Sequence, residues 1–570
     1  MYIAIVPNRQ SPPAVLLRED RREGGKTVKR TLANLSSLPG EAIVALRAVL
    51  KGERLVGARE HFAVERTLPC GHVRAVRGTM ERLEMTTLLG SKPSRERDLA
   101  LALVAQRVVK PDSKLGTTRL FNDTTLAADF GVAGADENEL YAALDWLLDR
   151  QPFIEKKLAE RHLPAGGRVF YDVSSSSYYG RHCALARRGK NRDGLKLPSV
   201  VYGLLTDDEG RPVAIQAWPG DTGDPTTVPD RIEALRGRFG VGRFVIVGDR
   251  GMLTSARIED LRALDGCGWI SCLRSADIRT LMETRGETDV PLFDRTNLAE
   301  LTHPDFPGEW LVACFNPVLA LDRARTRTEL LAATEVLLGK LRKEVARRTA
   351  KPLKAAEIGV KVGRLINRYK VGKHFALAIG DGQLAWERKE QAIARETALD
   401  GIYVIRTSEP PETLTAADAV RSYKRLGNVE KAFRTFKGID LRVRPIHHRL
   451  EDRVRAHLFL CMLAYYVEWH MRKALAPLLY VDEDLASIRD TRDPVATAMP
   501  SARALDKKAS RTSHSGLPLR SFNDLLYSLA TLCANTCRAG EGKNTVHFER
   551  ATEPTPLQQE AFRLLKVKLP

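Results

Sequence analysis

The chain is poor in the residues that staple a fold or cross a bilayer. Only 8 of its 570 residues are cysteine, at positions 70, 183, 267, 272, 314, 461, 533 and 537, and no Cys-x-x-Cys pair occurs. A disulfide framework is not expected, and reduced thiols are the simpler reading. Cys70-Gly-His72 could form half of a zinc site, but no second half accompanies it. The longest apolar run, Leu458 to Val467, has ten residues, too few to span a membrane. Met1 to Pro7 shows neither a basic start nor a long apolar stretch, so no signal peptide and a cytoplasmic location are expected. P-loop, Gly-x-Gly-x-x-Gly and His-Glu-x-x-His motifs are all missing, which withdraws support from phosphate-cradle and zincin chemistry. Acidic side chains are also in deficit. Against 90 Lys+Arg stand 71 Asp+Glu, a net charge of +19, which favours a polyanionic partner.

What is present is ordinary globular composition, 43% apolar and 28% charged, in a chain long enough for several domains. Residues 1–50 read as a small β module, with strands at Tyr2–Val6, Val15–Leu17 and Val28–Leu32 and a basic turn at Arg21–Lys26. Residues 51–165 are helical, with amphipathic segments at Leu99–Val109 and Leu140–Leu148. Such a module suits DNA docking, and equally a plain helical bundle. From 166 to 275 the period changes. Strands are expected at Arg168–Val173, Val200–Thr206, Pro212–Trp218, Arg243–Gly248 and Trp269–Leu273, with helices at 226–238 and Ser255–Leu264.

Residues 276–412 carry strand-like pieces (Trp310–Phe315, Phe375–Ile379, Ile402–Thr407) around a basic helical stretch. Between Asp322 and Lys373 there are fifteen Lys/Arg against five Asp/Glu. A charge run is usually a solvated helix face, but this concentration favours DNA contact. Residues 413–480 hold a long helix, Ala416–Lys437, weakened at Gly427-Asn428, and an apolar helix, Asp452–Ala474, expected to cover the core sheet. In the helical C-terminal region, 481–570, residues 485–515 read as polar loop and Ser521–Cys537 as a closing helix, with Cys533 and Cys537 on one face.

Two carboxylates occupy strand positions. Asp172 lies within Val169-Phe-Tyr-Asp-Val173, and Asp249 ends Phe244-Val-Ile-Val-Gly-Asp249. A lone Asp at a strand end is often a turn cap. Two on neighbouring strands repel, and a hard divalent cation is their natural counter-charge. Glu430 is the third candidate. Tyr423 and Lys437 each stand seven residues from it, so on one helix the three share a stripe with about 20° of drift per step.

Tyr423…Glu430…Lys437 resembles the Y-x2-R-x3-E-x6-K signature of DDE transposases encoded by bacterial insertion sequences. Val169–Val173, with the serines that follow, resembles that family's first Asp motif. Val245-Ile-Val-Gly-Asp-Arg-Gly-Met252 resembles the second. Arg444-Pro-Ile-His-His-Arg449 and Val454-Arg-Ala-His457 are similar to its C-terminal segment. The chain departs from the signature at one position. Leu426 stands where the Arg belongs. Arg425 lies about 140° round the helix from Glu430, whereas Arg434 lies about 40° away and could take the role.

The resemblance implies an α/β, RNase H-like catalytic core, a mixed sheet flanked by helices. The strand and helix order of 166–275 fits it. It also implies that an insertion domain, 276–412, interrupts this core before the Glu helix, and that an N-terminal β plus helical region binds DNA. Asp172, Asp249 and Glu430 would hold two divalent metal ions, magnesium with manganese as a substitute. Tyr423, Lys437, Arg434, Arg250, His447 and His448 would contact DNA or phosphate. The partners would be double-stranded DNA, as element inverted repeats and target, and a second copy of the chain. No membrane partner is expected. The alternatives are a stand-alone metal-dependent endonuclease and a non-catalytic DNA-binding protein derived from a transposase.

Overall fold

The computed structural model describes residues 1–9, 11–53, 62–284, 297–540 and 545–570. Parts of the expected second and fourth segments (54–61 and 285–296) lie outside the described residues. The chain divides into two compact units. One comprises Met1–Pro69, Thr531–Glu553 and Pro570, and the other Cys70–Ala530 and Pro554–Leu569.

In the first unit, β1 (Tyr2–Val6), β2 (Ala14–Glu23) and β3 (Lys26–Asn34) form an antiparallel meander. The basic turn narrows to Gly24-Gly25, both at positive φ (57° and 80°). A two-residue hairpin of this hand requires that conformation, and glycine adopts it without strain. β4 (Phe62–Pro69) belongs to a separate sheet completed from the far end of the chain.

The second unit is built on an eight-stranded mixed sheet. Its first strands are β5 (Arg168–Ser177), β6 (Ser199–Thr206), β7 (Pro212–Pro219), β8 (Phe244–Val247) and β9 (Cys267–Cys272). β5, β6 and β7 are antiparallel, while β8 and β9 run parallel to β5. This succession follows the one read from the sequence. β10 (Leu298–Leu301) and β11 (Trp310–Phe315) then extend the sheet. β12 (Phe375–Gly380) and β13 (Gln383–Arg388) form a detached hairpin, and β14 (Ile402–Thr407) returns to lie between β11 and β9. The two ends of 276–412 thus join the main sheet. Its middle, with helices Pro317–Arg347 and Ala355–Ile366 and the hairpin, packs around its own apolar cluster of Leu338, Ile358, Val362 and Phe375.

β6 is buried along its whole length, as a central strand covered on both faces must be. Helix Glu451–Ala474 supplies part of that cover, lying on β7 and against helices Arg95–Val109 and Glu137–His162. Its apolar run, Leu458 to Val467, is buried throughout, each large side chain contributing about 1.5–3 kcal/mol. Among the described residues no helix is long and apolar enough to cross a membrane.

Four expectations need correction. Residues 51–165 are not wholly helical: Phe62–Pro69 is strand β4, drawn into a sheet by its pairing with distant strands, and the first compact unit runs to Pro69 rather than ending near residue 50. The helix expected over Ser521–Cys537 ends at Ala530; β15 (Cys533–Ala539) follows and pairs with β4 and with β16 (Val546–Ala551). Asn, Thr and Cys are weak helix formers, so pairing with β4 prevails over a marginal helical pattern. The polar stretch 485–515 contains helices Leu485–Thr491 and Ala502–Ser510. The second starts at the Ser501 cap and turns the buried Lys507 ammonium onto the Ala476 carbonyl at 3.0 Å. Finally, the long helix Ala416–Lys437 is two helices, Ala416–Arg425 and Gly427–Lys437, meeting at the buried Leu426. Around the junction Leu426 N–H bonds Tyr423 O and Val429 N–H bonds Leu426 O, tightening the helix to three-residue spacing.

Candidate active site

Strand register brings the first two carboxylates together. In the parallel pair β5/β8, Phe170 lies opposite Val247, the last couple in the ladder. Asp172 and Asp249 each stand two residues further on. Side chains alternate along a strand, and neighbouring strands lie about 4.8 Å apart, so both carboxylates emerge on one face at the C-terminal end of β8. Tyr171 points to the opposite face, where its hydroxyl donates to Thr227 Oγ1 at 2.9 Å. Asp249 is also a turn cap. Its Oδ1 accepts the Gly251 and Met252 N–H groups at 3.0 and 2.8 Å, which fixes the carboxylate.

Helix Gly427–Lys437 brings the third. Val429, Ala432, Phe433 and Phe436 form its buried stripe. Phe433 meets Tyr202 of β6 edge-on at 5.7 Å, and Phe436 meets Tyr465 at 5.3 Å. With that stripe fixed, Glu430, Arg434 and Lys437 line the same cleft as Asp172 and Asp249. The Glu430 carboxylate is exposed and makes no hydrogen bond or ion pair among the described residues. Burial drives the Asp172 carboxyl up to about 7, against its Val173 N–H bond, and Asp249 and Glu430 add to the rise.

Such a cluster of carboxylate oxygens without a matching counter-charge fits the donor type of a hard divalent cation. Among the described residues, however, no three His, Cys, Asp or Glu side chains stand close enough to share one ion. Asp172 and Asp249 adjoin at the end of the sheet and Glu430 lines the same cleft from its helix, without the three closing on one point.

Lys437 donates to Ser175 O at 2.5 Å and to Asp193 Oδ1 at 3.3 Å. Arg444 Nη1 reaches the same Asp193 oxygen at 2.6 Å. Burial works to raise the Asp193 carboxyl, but the Ser177 N–H, Lys437 and Arg444 hold it below the ordinary value. Burial pulls the Lys437 ammonium down, and Asp193 opposes this.

The remaining sequence candidates are dispersed. Tyr423 does not line the cleft; the break at Leu426 separates it from Glu430, and it lies beside Cys272 and Asp249, its phenol raised first by burial. Arg250 is exposed beyond the turn and outside the cleft lining. His447 and His448 line a different cavity. Arg425 points elsewhere, pairing with Asp208 at 2.8 Å.

Sequence reasoning missed Lys190, Arg192, Asp224 and Arg444 as cleft residues, and Asp193 as the buried acid that holds Lys437 and Arg444. Lys190, Arg192 and Asp193 come from the loop between β5 and β6, and Arg192 pairs with Asp224 at 2.7 Å. The signal was present in Arg187-Arg-Gly-Lys-Asn-Arg192, four cations in six residues within the loop that follows the first Asp strand.

A family model described as "Transposase DDE domain" matches residues 172–467, just over half of the chain. The match begins at Asp172 and includes Asp249 and Glu430. No curated protein matches the chain.

Proposed function

The chain belongs to the family of transposase DDE domains, and on that premise we propose that it binds the ends of an insertion sequence, cuts them and joins the freed 3′-hydroxyls to target DNA. The observation that carries this reading is the single cleft lined by Asp172, Asp249 and Glu430 together with Lys190, Arg192, Arg434 and Lys437. Acids there suit metal-assisted phosphoryl chemistry, and the cations around them suit a polyanionic strand.

In this reading 166–275 and 413–480 are an RNase H-like core, 276–412 is an insertion that grips DNA, and 1–165 docks the element ends. Asp172, Asp249 and Glu430 would hold two divalent ions, magnesium or manganese. Bound there, the ions would supply an activated oxygen nucleophile and neutralise charge on the leaving oxygen. Lys437, positioned by Asp193, and Arg434 hold the phosphates flanking the cut, and Arg434 fills the place left by Leu426. Tyr423 supports the Asp249 turn from beside it. Arg250 meets DNA at the rim, and His447 and His448 bind phosphate. A homodimer holds two element ends at once.

The test is strand cleavage and joining on labelled duplex carrying the element's own ends, with magnesium, for wild type and Glu430→Gln. Wild type is expected to cleave and join, and the variant to bind DNA without doing either. Cleavage without joining would support a nuclease. Binding without activity in both proteins would support a non-catalytic DNA-binding protein. Equal activity in both would remove Glu430 from the site.

A further inference from the structure

A second cavity, of about 670 Å³, lies next to the cleft, and Arg444 lines both. Its wall is unusually cationic. Helix Arg95–Val109 supplies Arg107, the start of helix Lys114–Asp123 supplies Ser113 and Lys114, and helix Glu451–Ala474 supplies Arg453 and His457.

Some of these charges are compensated. Arg444 holds Asp193 at 2.6 Å, and Arg453 reaches Asp145 at 3.4 Å while lying 4.4 Å above the Tyr141 ring. Arg107 and Lys114 are not. Each is only 4% exposed, yet neither side chain has a hydrogen bond or ion pair among the described residues, and Arg107 Nε is buried without a partner. His457 is 5% exposed; it bonds Val443 O through Nε2 at 2.9 Å and leaves Nδ1 unpartnered. Asp112 is the one acidic residue on the wall among the described residues, and its Oδ1 is engaged by the Ser113 N–H at 2.7 Å.

Burying an unpaired cation is costly. A guanidinium cannot escape that cost by losing its proton. Lys114 partly does so: burial, followed by repulsion from Arg107, brings it down to about 7. The N-terminus of helix Lys114–Asp123, capped by Ser113, adds partial positive charge at the same wall. The missing component is an anion small enough to reach two buried cations at once.

We infer that this cavity is a phosphate site, in which Arg107 and Lys114 hold a phosphate group of a DNA strand that continues past Arg444 into the cleft. DNA as the source rests on the function proposed above. The phosphate site itself rests on the two uncompensated cations.

The experiment is thermal unfolding of the full chain in chloride and in inorganic phosphate at matched ionic strength. The proteins are wild type, Lys114→Met, Arg107→Met and, as a control, Lys156→Gln, an exposed lysine on another helix. Phosphate is expected to raise the midpoint of wild type and Lys156→Gln, and this rise is expected to vanish in both methionine variants. Their midpoints in chloride should equal or exceed that of wild type, because an uncompensated buried charge has gone. No phosphate-induced rise in wild type, or a rise retained in both methionine variants, would overturn the site.

The source is read separately from oligonucleotide affinity. A loss of about ten-fold or more in Lys114→Met assigns the phosphate to DNA. If that loss requires a 5′-phosphate, the group is a strand terminus; if not, it is an internal phosphodiester. Unchanged DNA affinity alongside a lost phosphate response would overturn DNA as the source. None of these readouts uses strand cleavage, so failure of the catalytic reading would not mimic failure of this one.

Discussion

Asp172 and Asp249 each stand two residues beyond Phe170 and Val247, the last couple of the parallel β5/β8 ladder. This places two carboxylates of like charge side by side, and burial drives Asp172 to about 7 against an ordinary 3.8. A carboxyl that is harder to ionise when folded favours the native state while it stays protonated. In EDTA, stability should therefore be highest below about pH 4 with respect to this group and should fall as pH rises to about 7, by at most roughly 4 kcal/mol. Asp172→Asn should flatten that slope, and magnesium should offset it in wild type alone. Urea unfolding across this pH range, with and without magnesium, measures both effects. An unchanged slope in the variant would remove Asp172 as its origin.

Arg434 is the proposed stand-in for the expected signature Arg, and Arg425, set aside on helix geometry, is its control. Arg434 lines the cleft and Arg425 pairs with Asp208. Arg434→Gln should reduce the rate of strand cleavage by roughly 10²-fold, the usual effect of losing a charge-stabilising donor. Arg425→Gln should leave the rate within about two-fold and cost about 1 kcal/mol or less of stability. Single-turnover cleavage and denaturant titration distinguish them.

Asp193 holds both Lys437 and Arg444. Asp193→Asn should free the two cations. Cleavage should slow by about ten-fold, equivalent to about 1.4 kcal/mol of lost positioning, while DNA affinity stays the same or rises as the anion that pairs with the two cations is neutralised. Weaker binding at an unchanged cleavage rate would contradict the positioning role.

The exposed cations Lys340, Lys343 and Arg347 lie together on helix Pro317–Arg347. Neutralising all three with Gln should lower the slope of log affinity against log salt by up to about 2.7, near 0.9 per lost phosphate contact. A parallel loss of affinity at every salt concentration, with no change of slope, would place DNA elsewhere.

Arg406 of β14 and Glu309 form a buried ion pair, with Nε to Oε2 at 2.6 Å. It ties β14 to the start of β11, and Arg262, from the helix between β8 and β9, reaches the same Glu309 at 3.4 Å. Glu309→Ala should cost about 3–5 kcal/mol, because a buried guanidinium is left uncompensated. The loss should appear as a lower urea midpoint.

Much of the core was legible because its information is local. Alternating and continuous apolar runs placed β5 to β9, and the buried stripe of Val429, Ala432, Phe433 and Phe436 gives the helix period that aims Glu430. The turn chemistry of Gly24-Gly25 and the apolar run of helix Glu451–Ala474 were readable for the same reason. The break at Leu426 was only half visible. Gly427-Asn428 signalled weakness, but the switch to three-residue hydrogen bonding moves Tyr423 off the expected stripe, and residue spacing cannot record that. β15 read as helix because its pairing partner, β4, lies more than 450 residues away.

The sequence by itself determined the residue types and spacings: two strand-borne aspartates, a helical glutamate, and a basic stretch with too few acids to match it. These follow from alternation, periodicity and charge, which act within a few residues. Tertiary structure alone decided which of them meet. Register across β5 and β8 juxtaposes the aspartates, and packing of Phe433 and Phe436 turns Glu430, Arg434 and Lys437 into their cleft. The enclosure of Arg107 and Lys114 is likewise a tertiary effect. Burial and the lack of a counter-charge are properties of everything packed around a side chain, and neighbours in sequence do not specify them.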